Sequence, residues 1–243
     1  IWTAIYNGTA NSADQASLIS LDNSGNVIVS GYTTGILSNT DITTIKYNSM
    51  GVQQWVSIFN GNGNFKDIPN SMKVDQSGNI YITGQAYGGA PTNYDMVTIK
   101  YNSLGAEQWV STYNGTGNGN DVANSIDVDS SGNVYITGSG FESASNSFDY
   151  ITIKYNSSGV QSWVSIYNGV SNFIDVSNDI ILDNAGNVYI TGASYEQFYD
   201  FATIKYNNAG VQQWVSRYNG QTSGNDEANT ILLDAIGNVF VSG

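Results

Sequence analysis

Short apolar stretches recur along the chain, each alternating with polar residues or flanked by Gly, Asn, Asp and Ser. Four kinds of stretch follow one another in fixed order. Strand A precedes an Asp, as Ser125 to Val128 precedes Asp129. Strand B is Val134 to Thr137 and its equivalents, ending at a Gly. Strand C is Thr152 to Tyr155, and strand D is Gln161 to Tyr167. Turn residues return every 8–12 positions or so, which predicts a sandwich, a barrel or a propeller. No stretch carries the 3.6-residue period of a helix.

The four strands form one unit of a tandem repeat. Trp2, Trp55, Trp109, Trp163 and Trp214 each open the phrase Trp-x-x-x-(Tyr/Phe)-Asn-Gly. Six residues after that Gly stands an Asp: Asp14, Asp67, Asp121, Asp175 and Asp226. A second Asp then opens Asp-x-x-Gly-Asn and strand B: Asp22, Asp75, Asp129, Asp183 and Asp234. Asp41, Asp95, Asp149 and Asp200 each begin a phrase leading through Lys-Tyr-Asn to a Gly turn and the next Trp. A period of roughly 50 residues holding four strands selects a β-propeller of four-stranded antiparallel blades. The whole of 1–243 reads as a single propeller repeat domain of about five blades. Trp55, Trp109, Trp163 and Trp214 are expected to be largely buried between blades.

The chain opens in strand D, at Trp2 to Tyr6, and ends in strand B, at Asn238 to Ser242. The last blade lacks strand C. This predicts a chain truncated where another strand C would come; the alternative is a five-bladed ring with one defective blade. The uncharged edge at residues 238–242 calls for cover, either by that missing strand or by strand addition from a partner.

Asp129 to Gly138 (Asp-x-x-Gly-Asn-Val-Tyr-Ile-Thr-Gly), Asp200 to Asn207 and Gln213 to Gly220 resemble the SBBP-type β-propeller repeats of bacterial surface and secreted proteins. The resemblance runs over essentially the whole chain. It implies a propeller and an extracellular or cell-envelope location, and no defined activity.

Composition narrows the chemistry. With 20 acids against 7 bases the net charge is −13, and Lys46, Lys100, Lys154 and Lys205 are spread one per repeat. Nucleic acid, which needs a basic patch, is not an expected partner. No apolar run reaches the roughly 20 residues of a membrane-spanning helix, so no membrane insertion is expected. There is no Cys and no His, which removes thiol nucleophiles, imidazole bases and the usual zinc sites. No cofactor is expected.

Two repeated acids could hold ions. The Asp-x-x-Gly-Asn segments offer one carboxylate each, too few for calcium, and read better as tight A–B turns. The Asp after Asn-Gly reads as a structural acceptor for loop N–H groups rather than as a ring of ligands. No metal site is expected. The repeated Lys is expected to cover strand surface or to pair with an acid of its blade.

The D–A connections are uniform, whereas the B–C connections vary, from Gly31–Asp41 to the shorter Gly192–Asp200. Variable loops on a rigid scaffold are where binding residues concentrate. The candidate ligand-binding residues are therefore Tyr32, Tyr87, Tyr94, Phe141, Glu142, Phe148, Tyr195, Glu196, Phe198 and Tyr199, as sugar-stacking or partner-anchoring groups or as plugs between blades. The leading reading is a non-enzymatic binding or structural module whose ligand, a protein or a cell-surface glycan, sits on the B–C loop face. One alternative is a polysaccharide-active enzyme using paired carboxylates, such as Glu142 or Glu196 with one of the Asp residues that follow Asn-Gly (Asp14, Asp67, Asp121, Asp175 or Asp226). The other is a passive spacer within an adhesin.

Overall fold

The structure is a computed structural model that describes residues 1–36, 39–90, 93–221 and 224–243. Every regular element among them is a strand. The first sheet holds β1 (Asp14–Leu21), β2 (Val27–Thr34), β3 (Thr40–Tyr47) and β4 (Gln53–Phe59). The second holds β5 (Ile68–Val74), β6 (Ile80–Gly89), β7 (Asn93–Tyr101) and β8 (Glu107–Tyr113). β9 (Val122–Val128), β10 (Val134–Glu142), β11 (Ser147–Tyr155) and β12 (Gln161–Tyr167) make the third. β13 (Asp175–Leu182), β14 (Val188–Tyr195), β15 (Tyr199–Tyr206) and β16 (Gln212–Tyr218) make the fourth. β17 (Thr230–Leu233) and β18 (Val239–Ser242) form a two-stranded sheet. Each four-stranded sheet is an antiparallel meander in chain order, so the A-B-C-D reading of the repeat holds. The chain forms two compact units, Ile1–Tyr113 and Asn114–Gly243.

The turn chemistry explains the punctuation of the repeat. In the A–B turn, Asp129 Oδ1 accepts the N–H groups of Ser131 and Asn133, and Oδ2 accepts Asn133 Nδ2 at 2.7 Å. Asp22, Asp75, Asp183 and Asp234 do the same in their own turns. Asn48, Asn102, Asn156 and Asn207 play that part in the C–D turn, each accepting N–H groups two and four residues on. Such side chains stand in for backbone acceptors that a tight turn lacks.

Strands B and C run longer than the repeat pattern suggested. β10 continues past Gly138 to Glu142, and β11 begins at Ser147 rather than Thr152. The strand-B Gly is a point of close approach, not a terminus. The register of β9 on β10 shifts at this residue. A Cβ at Gly138 would lie 1.9 Å from the Val122 carbonyl oxygen, and at Gly31, Gly84 and Gly192 the same contact is 1.9 to 2.1 Å. Only glycine lets the bulged strand A come so near. Trp2 to Tyr6, expected as a strand D, forms no strand and pairs with no sheet.

Within each unit the blades pack through their sheet faces. In the first unit Ile28 and Ile42 join Ile80, Ile82, Val97, Ile99 and Tyr101, with Trp55 and Phe59 at the margin. In the second, Tyr135 and Tyr150 join Ile180, Val188, Ile190, Ala202, Ile204 and Tyr206, with Trp163 at the margin. Trp55, Trp109, Trp163 and Trp214, expected to be largely buried, are only partly buried, and Trp2 is exposed. Trp163 lies over Gly210 of the following C–D turn, and its Nε1 donates to the Asn208 carbonyl at 3.0 Å. Trp55 repeats this on Gly105 and Ser103, and Trp2 on Gly51 and Ser49. The glycine has φ of +78° at Gly210 and +82° at Gly51 and Gly105, and a Cβ there would fall 2.5 to 2.6 Å from an indole carbon. The repeated Lys lies over the strand-B Tyr: Lys100 on Tyr81, Lys154 on Tyr135 and Lys205 on Tyr189, at 4.8 to 5.1 Å. In the first blade that Tyr is Ile28, and Lys46 instead pairs with Asp22 at 2.8 Å.

The indole-on-glycine contact makes two stability predictions. Trp163→Ala should lower the unfolding free energy by about 2 kcal/mol, less than a fully buried Trp would lose, because the ring is half-exposed. Gly210→Ala should lower it by about 1–3 kcal/mol, since the new methyl meets the indole and the backbone is left-handed. Urea denaturation of both variants measures these shifts; an unchanged midpoint for Gly210→Ala contradicts the contact.

Candidate functional site

The Asp that follows Asn-Gly is a clasp. Its Oδ2 accepts the Gly N–H in all five copies: Gly8 to Asp14, Gly61 to Asp67, Gly115 to Asp121, Gly169 to Asp175 and Gly220 to Asp226, at 2.5 to 2.8 Å. Oδ1 accepts an N–H near the end of strand B, from Thr34, Tyr87, Phe141 and Tyr195 in the first four copies. The carboxylate thus ties the D–A loop to the B–C hairpin, as the sequence reading expected of a structural acceptor. Asp67, Asp121 and Asp175 are fully buried or within 1% of it. Burial pushes Asp67 up to about 6, against the pull of its two backbone donors, and the Asp41 carboxylate adds to the rise.

Most of the B–C residues singled out from the sequence sit on strands rather than on loops. Tyr32, Tyr87, Tyr94, Phe141, Glu142, Phe148, Tyr195 and Tyr199 belong to the extended hairpin strands; only Glu196 and Phe198 lie in a turn. The reason is the closer pairing of strands B and C, which carries the ladder to the tip. Tyr87 faces Tyr94, Phe141 faces Phe148 and Tyr195 faces Tyr199 across the hairpins, with ring centroids 5.2 to 5.4 Å apart. Phe65 and Phe173 of the D–A loops cap Tyr87 and Tyr195. Tyr32 instead donates its O–H to Gln15. Glu196 is exposed and meets no repeated Asp in the hydrogen-bond pattern; Phe198 is also exposed.

Glu142 is different. It is 3% exposed and lies near the Asp121 and Asp149 side chains in the second unit. Its Oε2 accepts the Thr116 O–H at 2.5 Å. A Cβ at Gly115 would stand 3.0 Å from Glu142 Oε1 and 2.9 Å from Asp121 Oδ1, so the two carboxylates flank the same glycine. Asp149 lies on the same face of the hairpin, diagonal to Glu142, since Gly140 pairs with Asp149 and Glu142 with Ser147. Asp149 is 2% exposed; its Oδ2 accepts the Ser145 O–H at 2.8 Å, and its buried Oδ1 has no hydrogen-bond donor. Burial raises Asp149 to about 6, and the charges of Asp175 and Glu142 push in the same direction.

Asp149, Thr116, Ser145 and Arg217 were not singled out by sequence reading. Arg217 holds Ser194 through Oγ and the carbonyl, approaches Asp200 at 3.7 Å, and reaches the Tyr167 O–H. The signal for it was in the repeat: the same strand-D position is Ile58, Thr112 and Ile166 in the other blades. Among the described residues no group of three or more Asp and Glu is disposed to hold a metal ion. In the first unit a cavity of about 480 Å³ opens on the face of β1–β3. Its lining is mainly apolar, including Trp2, Leu18, Val29 and Tyr47, and its sole carboxylate is the clasped Asp14.

The fold is a β-propeller of four-stranded antiparallel blades, and solved structures share it. A gluconolactonase from Xanthomonas campestris matches with a TM-score of 0.50 and 12% identity, over 94% of this chain and 69% of that one. The periplasmic gluconolactonase PpgL of Pseudomonas aeruginosa matches with a TM-score of 0.55 and 10% identity, over 92% and 63%. A protein of unknown function from Dyadobacter fermentans gives 0.57 and 10%, over 93% and 73%. Residues 54–89 and 109–140 match the SBBP family of β-propeller repeats. No curated protein matches the sequence significantly.

These relatives correct the assignment of a non-enzymatic module. Solved proteins of this fold include enzymes, so a repeating propeller with no His or Cys gives no ground for excluding catalysis.

The raised carboxyls give a pH prediction with a definite sign. Asp149 in the folded chain keeps its proton up to about pH 6, while its ordinary value is 3.8. Between those limits the folded state binds the extra proton, so this group's contribution to stability declines as pH rises through that window. Asp149→Asn should therefore shrink the drop in melting temperature between pH 4 and pH 7. An identical drop in the variant contradicts the assignment.

Proposed function

We propose that the chain is a hydrolase acting on carbohydrate, with Glu142 and Asp149 as its carboxylate pair. The observation that carries this reading is the diagonal placement of the two on one face of the β10–β11 hairpin, with Asp149 raised to about 6 by burial first and by the Asp175 and Glu142 charges after it. Glycoside hydrolysis needs one carboxyl that keeps a proton near neutral pH and a second that is ionised. Asp149 fits the acid, and it donates to the leaving oxygen. Glu142 is the second carboxyl of the pair. Diagonal cross-strand positions stand about 7–8 Å apart, and an inverting reaction would place a water between the two carboxyls. In that geometry Glu142 takes a proton from the water as it attacks the anomeric carbon.

Thr116 and Ser145 each donate a hydroxyl to one member of the pair. Sugar hydroxyls replace these donors in kind when substrate enters. Phe173, Tyr195 and Phe198 of the same unit, partly exposed, supply ring faces on which sugars stack. A glycan substrate agrees with the extracellular or envelope location that the SBBP resemblance implies.

The test is release of reducing ends from a panel of polysaccharides, together with opening of sugar lactones, by the full chain. Glu142→Gln and Asp149→Asn should each lower kcat by about a hundredfold or more, with unchanged circular dichroism. Absence of turnover on every substrate, or full activity in both variants, overturns the reading.

A further inference from the structure

Asn7-Gly8, Asn60-Gly61, Asn114-Gly115, Asn168-Gly169 and Asn219-Gly220 stand at the head of the five D–A loops. Asn-Gly is the dipeptide whose side-chain amide is most open to attack by the following backbone nitrogen, because glycine offers no side chain to obstruct it. In that reaction the Gly nitrogen loses its proton to solvent base and bonds to the Asn Cγ. Ammonia leaves with a proton from solvent, and a five-membered succinimide forms. Water then opens the ring to Asp or to isoaspartate, so the balance is one water consumed and one ammonia released.

We propose that these asparagines are latent deamidation sites held unreactive by the Asp clasp. Two features of the loop block the reaction, and both recur. First, the attacking nitrogen is engaged: each Gly N–H donates to the Oδ2 of the clasp Asp. Removing that proton would place a nitrogen anion against a carboxylate, which like-charge repulsion opposes. Second, the Asn amide under attack is pinned. Asn7, Asn60, Asn114 and Asn168 donate Nδ2 to the Oδ1 of Asn11, Asn64, Asn118 and Asn172, at 2.5 to 2.9 Å. The accepting Asn has φ near +50° in all four loops, which points its side chain back across the loop. The ring cannot close until the side chain rotates away from that bond and the Gly N–H leaves the carboxylate.

The device explains why a chain can carry this dipeptide in every repeat. It also assigns the clasp Asp a chemical task beyond joining loop to hairpin: it controls a covalent clock in each blade. Loss of one clasp exposes one asparagine and leaves the others protected.

Asp14→Asn is the cleanest probe, because Asp14 is only partly buried and the other four clasps stay intact. The full chain and this variant are incubated in mildly alkaline buffer, and deamidation of each loop is followed by peptide mass spectrometry. Asn7 should deamidate about tenfold faster or more in the variant, in line with loss of a hydrogen bond to a charged group. Asn168 of the same molecules, still clasped by Asp175, should keep its original rate. Equal rates at Asn7 in variant and parent overturn the proposal. Equal acceleration at Asn7 and Asn168 also overturns it, since it shows general loosening and not a local block. Asp67→Asn, read at Asn60, repeats the test at a buried clasp.

Discussion

An aspartate that accepts two backbone N–H groups, one from its own loop and one from the neighbouring strand, holds each four-stranded blade together. A loop leaving strand D must turn back to become strand A, and its first N–H groups have no ladder to join. An unpaired backbone group shut away from water costs about as much as a lost hydrogen bond. The carboxylate supplies the missing acceptors and joins the loop to the long B–C hairpin in the same stroke. The arrangement carries a penalty, visible in the raised pKa of Asp67, because a charge is buried with neutral donors and no cation. In the fourth blade Arg217 offsets part of that penalty at Asp175.

The clasp also places the carboxylates from which chemistry could arise. Asp121 stands beside Gly115, and Glu142 comes to the other side of the same glycine because strand β10 continues past Phe141, whose N–H the clasp holds. Asp149 follows from register: its kind opens the strand-C phrase in four repeats, and it faces the strand-B residue two positions after the close-approach glycine. A regular scaffold therefore brings acids together at one end of the blade, and in the third blade Glu142 stands on the same hairpin face as Asp149, whose carboxyl burial raises. The repeat supplies the frame, and its exceptions, Glu142 and Arg217, supply the local character.

Much of the fold was legible because it rests on local chemistry repeated in order. The Asp-x-x-Gly-Asn turn, the four strands and the structural part of Asp14, Asp67, Asp121, Asp175 and Asp226 all follow from residue type and spacing. Strand ends were not legible. Gly138 reads as a terminator, yet it is the residue that lets strand A's carbonyl approach, a fact that depends on a neighbouring strand. The aromatic residues placed on loops were strand residues for the same reason. Half-burial of Trp163 was also hidden, since the indole packs on Gly210 of a different repeat. Of the carboxylate pair, Glu142 was recognisable as an acid at a variable position. Asp149 was masked by its repetition, because its raised pKa comes from burial and from neighbours distant in sequence.

The central claim is that the clasp makes loop amides as secure as strand amides. Amide hydrogen exchange measured by NMR tests it residue by residue. The N–H groups of Gly61, Gly115 and Gly169, though outside any strand, should exchange as slowly as those of Ile82, Ile136 and Ile190 in the central strands. Exchange of the three glycine amides at the rate of open loops would show that the carboxylates do not hold the blade and would contradict the account.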